Sequence, residues 1–173
     1  MHPVRHARFT AALLPHLDAA HNLARWLLGN HADAEDAVQD AYLRALTYFH
    51  SFRGEDGRAW LLAIVRHICF EHLRKKRHHL EFPVEDLQFA RDEQPSPEAL
   101  QLQLADQASV RRSLESLPPE FREVMVLREM EGMSYQQIAL VTGAPIGTVM
   151  SRLARARKKL QDILAATRKE ETT

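Results

Sequence analysis

Apolar positions recur along this chain at helical spacing and nowhere at strand spacing. In HLDAAHNLARWLLG, Leu17, Ala20, Ala24, Leu27 and Leu28 fall three, four or one residue apart, which places them on one helix face, and Gly29 follows as a stop. The next segment opens on Asp33, a residue type whose carboxylate caps free N–H groups, with Asp36 in the first turn. It sets Ala34, Ala37, Val38, Ala41, Tyr42, Ala45 and Leu46 on one face. SFRGEDGR, with two glycines, breaks the pattern. A third helix is predicted from about Ala59 to Arg77, with Leu61, Ile64, Val65, Ile68 and Leu73 as its apolar side. Three such helices make one small bundle.

The pattern then lapses. HLEFPVEDLQFARDEQPSP (79–97) has three prolines and no clean period, the composition of a linker. A second helical unit is predicted from near Glu98 to Leu117, where LPPE turns the chain into a helix with Phe121, Val124, Leu127 and Met130 facing inward. Ser134 with Gln137 reads as a capping box opening a short helix that ends at Gly143. Pro145 suits the start of the next helix, in which Ile146, Val149, Leu153, Ala156, Leu160 and Ile163 recur at spacings of three and four. The expected fold is therefore all-α: a three- or four-helix unit over 1–78, an acidic flexible linker over 79–97, and a helix-turn-helix unit over 98–173.

The last helix poses the first chemical question. Opposite its apolar stripe it offers Thr148, Ser151, Arg152, Arg155 and Lys159, followed by Arg157 and Lys158. In a helix-turn-helix the second helix enters the major groove, where hydroxyls and arginines reach base edges and further cations meet phosphates. A charged face pointing to water is the ordinary alternative. The capped short helix, the glycine turn and the basic excess weigh against it.

The first unit carries two further surfaces. The Asp33 helix has an acidic outer side, Glu35, Asp36 and Asp40, with Gln39 and the apolar Leu43 among them. That suits docking on a basic partner helix as well as plain solvation, and pattern alone leaves both open. The loop and third helix combine Phe49, Phe52, Trp60 and Phe70 with Arg53, Arg58, Arg66, Arg74, Lys75, Lys76 and Arg77. Rings that stack bases beside cations that meet phosphates are what a single strand needs, although aromatic side chains are more often core, Trp60 in particular.

Composition changes the picture only where charge is segregated. The 173 residues carry 45% apolar and 27% charged residues, six glycines, and a formal net charge of zero, so bulk charge does not announce a nucleic-acid binder. That zero is a sum of unlike parts. Arg152 to Lys169 is basic apart from Asp162, whereas His78 to Gln107 carries Glu81, Glu85, Asp86, Asp92, Glu93, Glu98 and Asp106 against Arg91 alone. No apolar run reaches membrane-spanning length, and MHPVRHARFTAALLPHLD lacks the apolar stretch of a secretory signal. A single cysteine, Cys69, leaves no internal disulfide and fits a reducing cytoplasm; beside Ile68 it reads as a buried, inert thiol. Ten histidines raise a metalloenzyme. No HExxH occurs, however, and His67 and His72 stand five apart, on different sides of a helix. No catalytic residue, metal or cofactor is expected, and little chain follows Leu160 in which a further regulatory domain would fit.

The pieces DAEDAVQDAYLRAL (33–46), WLLAIVRHICFEHLRKKR (60–77), LPPEFREVMVLREMEGMSYQQIA (117–139) and GAPIGTVMSRLARARKKL (143–160) stand in an order that resembles the extracytoplasmic-function (group 4) sigma factors of bacterial RNA polymerase. The resemblance runs from about Leu13 to Leu160 and implies domains sigma-2 and sigma-4 with none between. It implies that Glu35, Asp36, Gln39, Asp40 and Leu43 meet the clamp helices of the largest core RNA polymerase subunit, while the sigma-4-like domain meets the flap of the second largest. It implies that Phe52, Arg53, Gly54, Trp60, Arg66, His67, Phe70, Glu71, Arg74 and Lys75 bind the melted −10 strand of promoter DNA, with Phe52 to Gly57 lining a pocket for a flipped base. Thr148, Ser151, Arg152, Arg155, Arg157, Lys158 and Lys159 would then serve the −35 duplex, and the acidic linker would thread through the polymerase cleft. An anti-sigma factor is implied as regulator. Three positions depart from the family's commoner residues: His67 stands for Asn, Glu71 for Asp, and Met150 for Lys or Arg. They imply a different −10 sequence and one polar −35 contact fewer. The rival, a dimeric helix-turn-helix regulator, has no use for the first unit's acidic face.

Overall fold

The computed structural model describes residues 2–54, 56–80 and 101–173, and among them it contains helices and no strand. Helix α1 (Pro3–Leu13) starts on a proline, whose missing N–H costs nothing there. A single 3-10 turn, Leu14–His16, leads to α2 (Leu17–Leu28), which Gly29 closes in the left-handed conformation at φ 80°. Helix α3 (His31–Tyr48) is capped by Asn30 rather than by Asp33. The Asn30 side-chain oxygen Oδ1 accepts from Asp33 N at 2.8 Å, and its side-chain amide Nδ2 donates to the Asp33 carboxylate at 2.7 Å. Asp33 thus lies three residues inside the helix. There its carboxylate meets Lys76 at 3.2 Å and His72 at 3.4 Å, tying α3 to the next helix. The Asn30 bond, with Lys76 and His72 behind it, outweighs burial and holds the Asp33 pKa below its ordinary value.

Helix α4 (Gly57–Leu80) begins two residues before the expected Ala59 and runs two residues into the expected linker. Asp56 caps its start by accepting from Ala59 N at 3.1 Å. Gly57 is required by a close approach: a Cβ there would lie 2.5 Å from the Ala12 carbonyl oxygen. The rest of the acidic linker, and the expected start near Glu98, lie outside the described residues.

The second unit holds α5 (Gln101–Glu115), α6 (Pro119–Met125) continued by one π turn (Val126–Met130), α7 (Tyr135–Thr142) and α8 (Ile146–Glu171). The capping box is formed as expected, with both Ser134–Gln137 bonds present, and Gly143 turns the chain at φ 70°. Pro145 stands at the N-cap of α8 rather than within its first turn. Two expected core positions are corrected. Met130 is 44% exposed and Ile146 41% exposed: the π turn adds a residue to the ladder and swings Met130 outward, and Ile146 lies at the open end of α8, before Val149 reaches the core.

Leu13, Leu23, Leu27, Ala41, Leu61 and Val65 fill the first unit, and Leu117, Val124, Leu127, Met133, Ile138 and Leu153 the second. Burying each such leucine stabilises by about 1.5–3 kcal/mol. The two cores are contiguous, because α4 packs on α7 and α2 on α6.

Candidate nucleic-acid interface

Helix α8 owes its orientation to three fully buried residues, Val149, Leu153 and Ala156. They dock it on α5, α6 and α7. Ser151, Arg155, Lys158 and Lys159 are exposed as a result, and Thr148 is half-buried. The Ser151 hydroxyl bonds back to the Thr148 carbonyl at 3.0 Å, a contact it can exchange for another acceptor. Two expected members of this surface are placed differently. Arg152 lies half-buried on the flank toward α6, close enough to Glu123 to lower the pKa of that carboxylate. Arg157 is exposed but donates to Glu129 at 3.0 Å. Met150 is 51% exposed, an apolar side chain standing free on a polar helix.

On α4 the expected strand surface divides in two. Arg53 and Gly54 in the loop, and His67, Arg74 and Lys75 on the helix, are exposed. His72, Arg74, Lys75, Lys76 and His78 line an open cleft at its C-terminal end. His67 Nε2 lies 3.0 Å from Glu71 Oε1, and Arg44 reaches the other oxygen of Glu71 at 3.4 Å, so Glu71 is held between α3 and α4. The aromatic side chains are half-buried. Phe52 packs against Phe49 and Trp60, with ring centroids 5.4 and 5.2 Å away, and the three rings form one cluster beneath the loop.

Arg66 is turned the other way. Its Nε donates to Glu123 Oε2 at 2.7 Å and its Nη2 to Glu123 Oε1 at 3.1 Å, while the guanidinium lies 4.4 Å over the Phe70 ring. Glu123 sits on α6 with a side chain that is 0% exposed. Burial pushes its pKa up to about 7, opposed by Arg66 and Arg152 and assisted by Glu120. Neighbouring contacts join the same two units. Gln137 Nε2 donates to Asp56 Oδ2 at 2.7 Å, and Arg58 to the Glu131 carbonyl at 2.9 Å. Asn22 donates to the Glu131 carboxylate at 2.9 Å. Arg122, 1% exposed, donates to the Trp26 carbonyl at 2.7 Å and the Leu117 carbonyl at 3.0 Å. It thereby satisfies an end-of-helix carbonyl of α2 from α6.

Arg122, Glu123 and Gln137 were absent from the sequence-based sites. One trace of them is legible. Arg122 and Glu123 interrupt an otherwise apolar run, FREVMVL, and charges embedded in such a run are either functional or paired. On α4, Arg58, Leu62, Arg66, Cys69 and Leu73 fall four, four, three and four apart. That second stripe carries the buried Leu62 and Cys69. The thiol is pushed to about 12 by burial and by Glu123, which makes it inert.

The acidic face of α3 is where it was expected. Glu35, Asp36, Gln39 and Asp40 are exposed, and Leu43 is 62% exposed. Nothing from the second unit covers them among the described residues. Among the described residues no helix is long and apolar enough to cross a membrane, and no group of three potential metal ligands occurs among them.

Comparison with known proteins bears on both units. Sigma-70 region 2 matches residues 13–79, and Sigma-70, region 4 matches residues 107–160. The ECF RNA polymerase sigma factor SigE of Mycolicibacterium smegmatis is 35% identical over 151 residues, 87% of this chain and 59% of that protein. The chain therefore spans less than two thirds of that relative's length. The RNA polymerase sigma-H factor of Pseudomonas aeruginosa is 33% identical, covering 76% of this chain and 73% of its own. Among solved structures, the sigma factor RpoE of Bartonella quintana, in complex with the anti-sigma factor NepR, matches with a TM-score of 0.74 and 31% identity, over 91% of this chain and 97% of that one.

Proposed function

The chain belongs to the extracytoplasmic-function branch of the sigma-70 family, and we propose that it directs core RNA polymerase to promoters in the cytoplasm. In this reading α3 docks on the polymerase clamp and α8 reads the −35 duplex. The Phe52–Gly57 loop and α4 hold the melted −10 strand. The chain positions other molecules and has no catalytic role of its own. An anti-sigma factor regulates it, as the RpoE–NepR complex suggests for a relative that aligns over both units.

The observation that carries this reading is the coexistence of three surfaces of different chemistry on one chain. The acidic, Leu43-bearing face of α3 is exposed, α8 has a cationic outer side, and the end of α4 has a basic cleft. A helix-turn-helix regulator acting alone would need only the second of these. The test is transcription by the purified chain with core enzyme from a randomised promoter library. Enrichment of paired −10 and −35 motifs is expected. Asp36→Lys combined with Asp40→Lys should abolish co-purification with core enzyme and leave helical content unchanged. Wild-type yield of the complex from that double variant would remove α3 from the polymerase interface.

A further inference from the structure

The surfaces assigned to the two promoter elements are not equally free. The outer side of α8 is open to solvent, and so is the acidic face of α3. On α4, by contrast, Arg66 is held by Glu123, the loop residue Asp56 by Gln137, and Arg58 by the Glu131 carbonyl. All three of those partners belong to the second unit. We propose that the chain carries its own latch: Arg66 has two exclusive partners, Glu123 in the closed chain and a phosphate of the melted −10 strand in the open one. The closed chain therefore keeps its −35 reader and polymerase face available while masking part of its strand reader. The inference rests on the proposed promoter function and adds a built-in regulation of the −10 site.

Geometry makes the partners exclusive. Both Nε and Nη2 of Arg66 are spent on the two Glu123 oxygens, and one face of the guanidinium is spent on Phe70. A phosphate needs the same fork. Glu123 in turn is buried among α4, Arg152 of α8 and Glu120 of its own helix. A fully buried carboxylate is tolerated only with its cation in place. Pulling Arg66 away thus forces the units apart, and parting the units frees Arg66.

Distance makes opening obligatory. Elements about 25 base pairs apart are separated by roughly 85 Å along B-DNA, whereas a compact body of this chain length is only about 40 Å across. The segment 81–100, fully extended, reaches up to about 70 Å, enough for two parted units to engage both elements.

The experiment uses the full chain and two readouts. Small-angle scattering of the free protein reads opening, with no promoter needed. Binding of a fluorescent single-stranded −10 oligonucleotide, in the presence of core enzyme, reads masking. Glu123→Arg should enlarge the radius of gyration, keep helical content and −35 duplex affinity, and tighten strand binding about tenfold if the closed form outweighs the open one by that factor. Adding Arg66→Glu to Glu123→Arg should restore the compact size and lose the strand contact. Arg66→Met, which retains bulk, should open the chain without the gain in strand binding. An unchanged radius in Glu123→Arg overturns the latch. Enlargement with no gain in strand affinity overturns the masking. If wild-type chain with core enzyme shows no strand binding, the promoter reading fails, while scattering still decides whether Arg66 and Glu123 hold the units together.

Discussion

Helices α4 and α8 are both long, both bear cations, and both are candidate DNA readers, yet the molecule treats them in opposite ways. Helix α8 buries one narrow stripe, Val149, Leu153 and Ala156, and leaves most of its N-terminal half to solvent, with Thr148 and Arg152 half-buried at the stripe's flanks. Helix α4 buries Leu61, Val65 and Ile68 within its own unit and also Leu62 and Cys69 on the side of Arg58 and Arg66, where the second unit docks. The width of the apolar sector decides how much of a helix remains for a ligand. A one-sided helix is a ready reader; a two-sided one must first lose a neighbour. The same contrast separates the arginines. Arg155 makes no ion pair or hydrogen bond among the described residues, whereas Arg66 is bidentate on a buried carboxylate.

The contrast breaks most visibly through stability. Arg122→Ala would leave the Trp26 and Leu117 carbonyls without their donor and a hole between α6 and α2. A loss on the order of 3–5 kcal/mol is expected. In a chain of this size that lowers the melting temperature by roughly 10 °C. Arg155→Ala, on the open helix, should stay within about 0.5 kcal/mol of wild type. Thermal unfolding followed by circular dichroism reads both. A loss below about 0.5 kcal/mol for Arg122→Ala would mean that α6 does not lean on α2 in solution, and α4 would then be as open as α8.

Local chemistry made half of this arrangement legible from sequence. Ser134, Gln137 and Gly143 identify α7 through contacts within a few residues, and the stripe of α8 follows from one period. Gly29 closes α2 for the same reason. Asn30 was missed as the cap of α3 because Asp33 and Asp36 offered the same chemistry three residues later, and the choice rests on where the chain leaves Gly29. The union of the two units was not legible. Arg66 and Glu123 are 57 residues apart, and each taken alone is an ordinary charged residue. What marks them is context: Glu123 lies inside FREVMVL, and Arg66 lies on a second apolar stripe of α4. A stripe on a helix says that something covers it; only the fold says what.

Acidity sharpens the comparison at intermediate size. The Glu123 pKa is about 7 in the closed chain, against about 4.3 for an exposed glutamate. The closed form thus binds the extra proton. Its contribution to closure is fully present below about pH 4.3 and is lost as pH rises through about 7. Raising the pH from 6 to 8 should therefore expand the free chain. Arg66, Arg152, Glu120 and Cys69 surround the carboxylate, and burial holds the thiol at about 12, far above that window. Asp56, another carboxylate of the interface, has a pKa below its ordinary value despite burial, through bonds from Ala59 and Gln137. Scattering across that range should show the expansion in wild type and none in Glu123→Gln. An equal expansion in both would transfer the effect to histidines outside the interface.

The smallest effects lie on α8 and test whether its open side is read as well as exposed. Arg155 stands seven residues from Thr148 and four from Ser151, so the three share a face away from Val149, Leu153 and Ala156. Lys158 lies one turn beyond Arg155 and two beyond Ser151, toward the end of the contact. An arginine over base edges discriminates through its fork, whereas a lysine further along meets phosphate alone. Arg155→Ala should cost about 1–3 kcal/mol and relax preference at one −35 base pair. Lys158→Ala should weaken all −35 sequences alike and lower the salt slope by about one contact. Titrating single-base −35 variants at two salt concentrations separates them. Uniform loss for Arg155→Ala together with altered preference for Lys158→Ala would mean that the helix lies in the groove rotated by about one residue. The exposed Met150 would then be brought toward the bases and Arg155 toward the backbone, and the open side of α8 would be a different side from the one that reads.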